Sequence, residues 1–137
     1  MSASVLYRIA AVLLVLFAGG HTIGFRQVDP AWGVDAPIAA LRATTFVAQG
    51  TANRTYWGFY VGFGLFCTVL LLFAAAMAWQ LGTVPPAVLQ SLQFASWAFA
   101  IAFVATTYYT WRYFFTAPLV FSTIIAVLLL SAAWRAR

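Results

Sequence analysis

Charged and metal-binding residues are scarce in this sequence. Its 137 residues include two acidic residues, seven arginines, one histidine and one cysteine, while lysine and glutamate are missing altogether. A single cysteine excludes an internal disulfide, and one histidine with one cysteine cannot complete a usual zinc site or a bis-histidine haem. No metal and no cofactor is therefore expected. Without lysine there is also no Schiff-base site and no lysine-containing phosphate loop.

Acidic side chains are missing from every apolar run of the sequence. Asp29 and Asp35 both lie in the connection between the first two runs, so the carboxylate with which small transporters commonly carry protons or cations is not available inside a membrane. The arginines are scattered at the edges of apolar runs and form no basic stripe. Nucleic-acid binding is therefore not expected, despite the formal net charge of +5.

Hydrophobic residues, in contrast, are abundant. They make up 65% of the chain, charged residues make up 7%, and the mean hydropathy is +0.96. Soluble domains are about half apolar and about a quarter charged. The composition therefore predicts an all-α integral membrane protein, with residues 1–137 forming a single transmembrane domain.

Four apolar runs are long enough to cross a bilayer as helices, which takes about 20 residues. Pro85 and Pro86 precede the third run, and Thr116 with Pro118 resembles a helix cap followed by an early helical proline, although Pro118 could instead bend a longer fourth helix. Arginines are nearly balanced between the two predicted sides, so cytoplasmic termini are only a working prediction. The predicted fold is a four-helix bundle with spans at about residues 5–25, 55–81, 87–111 and 118–134.

The first connection, residues 26–54, is too long for a simple turn. Asp35 as a cap and Pro37 in a first turn predict a short helix, and Gly50 predicts its end, so we expect a helix over about residues 36–49. Its apolar residues form no clean stripe. This favours a position at the membrane interface or at the mouth of the bundle.

The predicted topology brings three polar segments to one membrane face, here called the loop-one end because residues 26–54 lie there; the opposite face is the terminal end. Residues one helical turn apart share a helix face, and such pairs occur in the second and third runs. A belt of interfacial aromatic rings is the alternative explanation for any single ring. Paired faces favour a ligand pocket, with these candidate residues: His21, Tyr56, Tyr60, Tyr109 and Arg112.

Small residues predict where the helices approach one another. Gly20 with Gly24, and Gly58 with Gly62, form GxxxG patterns at the same end of adjacent helices. Such patterns allow close backbone contact in membranes, so the first two helices are predicted to touch there, with His21 and Tyr60 beside the contact. A small-residue stripe at helical spacing predicts the packing face of the third run: Ser91, Ala95, Ala98, Ala102 and Ala105.

His21 is the single histidine, and a polar ring at this depth is expected to point into the bundle. Its role has two interpretations. In the first, His21 forms a hydrogen bond with a tyrosine hydroxyl or a backbone carbonyl and holds two helices together. In the second, it takes part in ligand binding or proton transfer, since histidine titrates near neutral pH. Tyr60 and Tyr109 are its leading predicted partners.

Three motifs together resemble a family of small four-helix bacterial inner-membrane proteins that are known mainly as uncharacterised. They are Gly20-His21-Thr22, the segment YWGFYVGFG at residues 56–64, and WRYFFTAP at residues 111–118. The family often has an acid where this sequence has Gly58. The resemblance implies a multi-pass protein of the bacterial inner membrane and implies no activity. The general plan is also similar to that of DoxX-like membrane proteins.

Three functions remain open, and membrane lipids are expected partners in all of them. The first is binding of a lipid-like or other lipophilic small molecule at the loop-one end. The second is an intramembrane enzyme for a lipophilic substrate, in which His21 is the general acid or base and Arg112 stabilises an anion. The third is a packing or assembly subunit, including a homo-oligomer through the glycine faces. An anion channel is disfavoured, because no span has a polar stripe through its full depth.

Overall fold

The computed structural model describes residues 1–47, 50 and 53–136. The predicted all-α class is confirmed, because helices account for nearly all of the regular structure. The elements in chain order are α1 (Ala3–Gly24), a 3-10 turn (Pro30–Trp32), α2 (Asp35–Ala43), β1 (Thr45–Phe46), β2 (Arg54–Thr55), α3 (Tyr56–Leu81), α4 (Pro86–Ser91), α5 (Gln93–Tyr113) and α6 (Thr116–Arg135).

Three helices in the described part of the chain are long and apolar enough to cross a membrane: α1, α3 and α6. Helix α5 is also long, at 21 residues. It carries Gln93 and Ser96 near its start and a run of threonines and tyrosines near its end, and these polar residues reduce its hydropathy. The composition of α5 thus separates it from the other three long helices.

Helix α1 occupies the centre of the fold. It packs against α3 on one side and α6 on another, whereas α5 packs mainly on α6. Small residues line these contacts, since Ala10 on α1, Ala78 on α3 and Ala132 on α6 are all completely buried. The four long helices therefore follow the spatial order α3, α1, α6, α5, and α3 and α5 lie at the two edges.

The sequence predicted one continuous helix for the third apolar run, and the structure contradicts this prediction. It divides at Leu92 into the short α4 and the long α5. The Leu92 N–H bonds the carbonyl of Leu89, three residues back, at 3.1 Å, which is tighter than the α-helical spacing of four. Pro86 starts α4, with Pro85 at its cap position, as the proline pair predicted.

The inner face of α5 also differs from the predicted one. All five residues of the predicted small-residue stripe are exposed. The buried face lies elsewhere on the helix, because alanine and serine occur on several sides of α5 and spacing alone could not identify the packed side. It consists of Ser96, Ala100, Phe103 and Thr110.

The helix predicted over residues 36–49 is shorter and is capped differently. Asp35 is the first helical residue, Val34 holds the cap position without a side-chain bond, and the helix ends at Ala43. The next residues form a two-stranded antiparallel pair in which Thr45 faces Thr55, consistent with the strand preference of β-branched residues. Gly50 has a φ of +72° and lies well beyond the end of α2. Gln49, the predicted last residue, lies outside the described residues.

Candidate functional site

His21 forms a bond between α1 and α3 at the loop-one end. Its Nε2 lies 2.9 Å from the carbonyl oxygen of Gly64. Because a carbonyl only accepts hydrogen bonds, Nε2 must carry a proton and donate it. The half-buried ring contacts α3 as predicted, but the predicted tyrosine partners are wrong, and the backbone-carbonyl alternative is the one observed.

Two threonines extend this contact along the helix pair. Thr22 donates to the Ala18 carbonyl at 2.7 Å, and its hydroxyl lies 2.9 Å from that of Thr68. The Thr68 hydroxyl also lies 3.2 Å from the Gly64 carbonyl, which already accepts from His21. Polar groups of both helices thus converge on the Gly64 carbonyl.

Aromatic rings cover the end of this network. The His21 ring stacks on Phe25 with 5.1 Å between ring centroids, and Tyr60 meets Phe25 edge-on at 6.0 Å. The Tyr60 hydroxyl donates to the Phe25 carbonyl at 2.8 Å. We call the group of His21, Thr22, Phe25, Tyr60, Gly64 and Thr68 the α1–α3 clamp. Its position confirms that the first two long helices meet beside His21 and Tyr60.

The glycine that makes room for this contact is Gly64 and belongs to neither GxxxG pattern. A Cβ added to Gly64 would lie less than 3.0 Å from three atoms of the Phe25 ring. By contrast, an added Cβ at Gly20, Gly24 or Gly62 would meet nothing within 4 Å. At Gly58 the nearest atom to an added Cβ is the Thr55 hydroxyl oxygen, at 3.1 Å, which belongs to the cap of the same helix. The predicted role of these patterns in joining the first two helices is therefore wrong.

Tyr109 and Arg112 lie apart from the clamp, on an exposed segment at the end of α5. Tyr109 is 56% exposed and stacks on Tyr113 at a ring distance of 6.4 Å. The Arg112 guanidinium lies over the Tyr113 ring, 5.4 Å from its centroid. Because α5 packs mainly on α6, this aromatic group is carried by a different edge of the fold from His21.

Tyr56 belongs to a third group, which ties the first connection to α3. Its ring lies 4.8 Å from that of Phe46 on β1. Nearby, the Arg42 guanidinium of α2 lies 4.8 Å from the centroid of the Trp57 ring, and Trp57 in turn contacts Tyr60. The five residues predicted to bind one ligand are thus distributed over the clamp, this group and the end of α5.

Two buried polar pairs were not predicted. Thr110 on α5 and Ser122 on α6 are buried, and their hydroxyl oxygens are 2.8 Å apart. Near the terminal end, the fully buried hydroxyls of Tyr7 on α1 and Ser96 on α5 face each other, although neither makes a hydrogen bond of ordinary geometry within the described residues. Serine and threonine are common in helices of this composition, so only the packed neighbours reveal these pairs.

Two cavities lie at the terminal end, away from the clamp. One is an open groove of about 380 Å³ between α1 and the end of α3. The other has about 570 Å³ and lies among the N-terminal residues, α4 and the end of α6. None of the five predicted ligand-binding residues lines either cavity.

Comparisons with protein-family models, with curated proteins and with solved structures found no significant match to this chain. The resemblance to small four-helix inner-membrane proteins therefore stays a prediction from the three motifs. The chemistry of the described side chains is the basis for a functional proposal.

Proposed function

We propose that this chain is a multi-pass protein of the bacterial inner membrane and acts as a packing or assembly partner for other membrane helices. In this proposal all four long helices, α5 included, cross the bilayer as a four-helix unit, and the termini are cytoplasmic. Three of these helices have the length and hydropathy for this, and α5, although more polar, has 21 residues, enough for a span.

The main support for the proposal is that the His21 side chain is already engaged in contacts between α1 and α3. Its Nε2 donates to a backbone carbonyl that also lies near Thr68, and its ring is stacked on Phe25. A general acid must release its proton to the substrate, and here the Nε2 proton is already donated to the Gly64 carbonyl. A general base would have to act through Nδ1, which belongs to a half-buried ring stacked on Phe25. The clamp therefore favours a structural role for His21 over the enzyme alternative.

The outer face of α3 supports assembly. We define this face as Phe59, Gly62, Phe66, Val69, Phe73 and Met77, which recur every three or four residues on the side opposite the buried Ala75 and Ala78. Such spacing forms the continuous seam along which helices pack. Its large side chains are exposed by 41% to 63%, and none of the six carries a charge.

A second copy of the chain is the partner that this face fits best. At its loop-one end, Gly58 and Gly62 form a GxxxG pattern, and Gly62 has open space above it. GxxxG patterns commonly mediate helix dimers in membranes. Two copies related by a twofold axis would bring the same face of each α3 together, as closed homodimers do.

Cysteine cross-linking tests this proposal. In a Cys67→Ala background, which removes the single native cysteine, Val69→Cys places a thiol on the outer face and Val127→Cys places one on α6. The two valines are matched, at 62% and 57% exposure. Mild oxidation in membranes should yield disulfide-linked dimers of Val69→Cys and monomers of Val127→Cys. Equal cross-linking of both variants, or of neither, would contradict a dimer through α3.

A second candidate function is binding of an amphiphilic molecule at the end of α5. The observation in its favour is the exposed group of Tyr109, Arg112 and Tyr113, in which a cation lies over an aromatic ring. Such a group suits an anionic head and an apolar body. A lipophile that co-purifies with the wild type and is lost from Arg112→Gln would support it, and equal recovery from both would remove it.

A further inference from the structure

The open groove at the terminal end between α1 and α3 combines apolar side chains with one charged side chain. It is lined by five largely apolar side chains and a single charged one, and its volume is about 380 Å³. This volume is within the range of small-molecule sites, about 300–1,000 Å³. The lining residues are Val5, Arg8, Ile9, Val12, Leu13 and Trp79. The groove is therefore an apolar surface depression with one positively charged side chain, Arg8, near its terminal end.

The Arg8 side chain is held in place by α3 and the residue that follows it. Its Nε donates to the carbonyl oxygen of Gly82 at 3.0 Å, and its guanidinium lies 5.9 Å from the centroid of the Trp79 ring. An added Cβ at Gly82 would lie 2.8 Å from Arg8 Cγ and 3.0 Å from the Ser4 carbonyl oxygen. Gly82 thus lets the arginine stem pass close to the backbone.

The bond to Gly82 uses one donor of a group that has five. The two terminal nitrogens of a guanidinium carry four N–H donors in a planar fork, a geometry that matches the oxygens of a phosphate. Arg8 is an exposed residue. Its fixed stem and its terminal nitrogens therefore provide a positioned cationic group at the end of the apolar groove.

The charges around the groove favour an anion. Arg8 and Arg135 lie at the terminal end, whereas both acidic residues of the sequence, Asp29 and Asp35, lie in the first connection at the opposite end. No carboxylate side chain therefore competes for Arg8 at the terminal end. An anionic head group would be attracted to this end of the protein.

We propose that the groove binds an anionic glycerophospholipid, with its phosphate at the Arg8 guanidinium and one acyl chain along α1 beside Trp79. The distance along α1 from Arg8 to Leu13 is about 8 Å at 1.5 Å per residue, which accommodates the upper part of an acyl chain. This proposal rests on the membrane placement of α1 and α3 and is independent of assembly through the outer face of α3.

Native mass spectrometry of the full chain in detergent, with equal amounts of phosphatidylglycerol and phosphatidylcholine, tests the site. The wild type should retain phosphatidylglycerol in preference by roughly tenfold, because both lipids have a phosphate for Arg8 but only phosphatidylglycerol has a net negative charge, which the choline cation cancels in phosphatidylcholine. Arg8→Gln should abolish the preference, whereas Arg135→Gln should keep it. Equal retention of the two lipids by the wild type would overturn the proposal, and so would a preference that survives in Arg8→Gln.

A second pair of variants leaves Arg8 and its bond to Gly82 in place. Val12→Trp fills the groove, and Val15→Trp adds the same bulk one turn further along, at a position outside the groove; the two valines are 53% and 52% exposed. Val12→Trp should reduce retention of phosphatidylglycerol by roughly the same factor of ten, and Val15→Trp should match the wild type. Unchanged retention by Val12→Trp would exclude the groove. Cross-linking through Val69→Cys should be unaffected by either change, which separates failure here from failure of the assembly proposal.

Discussion

Helices α1 and α3 have almost the same hydropathy and very different surroundings. Their most apolar 18-residue windows have mean hydropathies of 1.9 and 2.3, yet 44% of the α1 window is buried and 11% of the α3 window. The more apolar helix is the more exposed one. Hydropathy therefore indicates which segments suit a membrane, but it does not indicate which of them lies at the centre of the fold.

Residue size contributes to this difference in burial. The buried positions of α1 include Ala10, Ala11 and Ala18, whereas α3 exposes large side chains such as Phe66 and Phe73. Between helices in lipid there is no hydrophobic driving force, and close approach of backbones takes its place. Small residues and short polar pairs mark the closest helix contacts, although large side chains such as Leu14 and Ile125 are also fully buried.

The largest effect should come from enlarging an alanine at the centre of the fold. Ala10 on α1 is fully buried, whereas Ala76 on α3 is exposed. Ala10→Leu should lower the free energy of unfolding in detergent by about 3 kcal/mol through overpacking, and Ala76→Leu should change it by less than about 0.5 kcal/mol. Comparable losses in both variants would show that α3 is covered as closely as α1.

A smaller loss is expected at the glycine of the clamp. Gly64→Val would force the Phe25 ring out from between His21 and Tyr60, at about 2 kcal/mol, while Gly20→Val adds the same side chain where nothing lies within 4 Å. Thermal unfolding of the two purified variants distinguishes these positions. If Gly20→Val were the more damaging change, the GxxxG pattern of α1 would be the true contact between α1 and α3.

The smallest effect should come from the hydrogen bond of His21. His21→Leu removes the donor to the Gly64 carbonyl, and interhelical hydrogen bonds of this kind contribute about 1 kcal/mol or less in membrane proteins. His21→Gln keeps an N–H donor and should recover part of the loss. Unfolding measurements in which leucine and glutamine are equally destabilising would show that ring stacking on Phe25 outweighs the hydrogen bond.

Much of the secondary structure could be read from local signals. The proline pair at residues 85 and 86 marks the start of α4, and the long apolar runs mark α1, α3 and α6. The contact between α1 and α3 beside His21 was also predicted, but from two GxxxG patterns whose glycines do not lie in it, since the glycine in the contact is Gly64. The helix over residues 36–49 was predicted too long, since strand pairing between Thr45 and Thr55 depends on a partner ten residues away.

The candidate site could be predicted only in part. His21 was identified as a ring that bonds across helices, but its partner is the Gly64 carbonyl, and a carbonyl carries no sequence signal because every residue has one. The grouping of His21 with Tyr109 and Arg112 assumed that α5 packs beside α1 and α3. Helix α5 instead packs mainly on α6, and this leaves Tyr109 and Arg112 on a separate edge.

Composition and local spacing by themselves determined the all-helical class and, to within one or two residues, the bounds of the three apolar helices. These features depend on interactions within a helix, and such interactions follow from local spacing. Only the tertiary structure decided which small residue lies inside, as at Ala100 and Gly64, and which lies outside, as at Ala102 and Gly62. When a helix is apolar on every side, its packed face depends on shape complementarity with helices that are distant in the sequence. Shape complementarity produces no periodic pattern of residue types, so the sequence cannot identify that face.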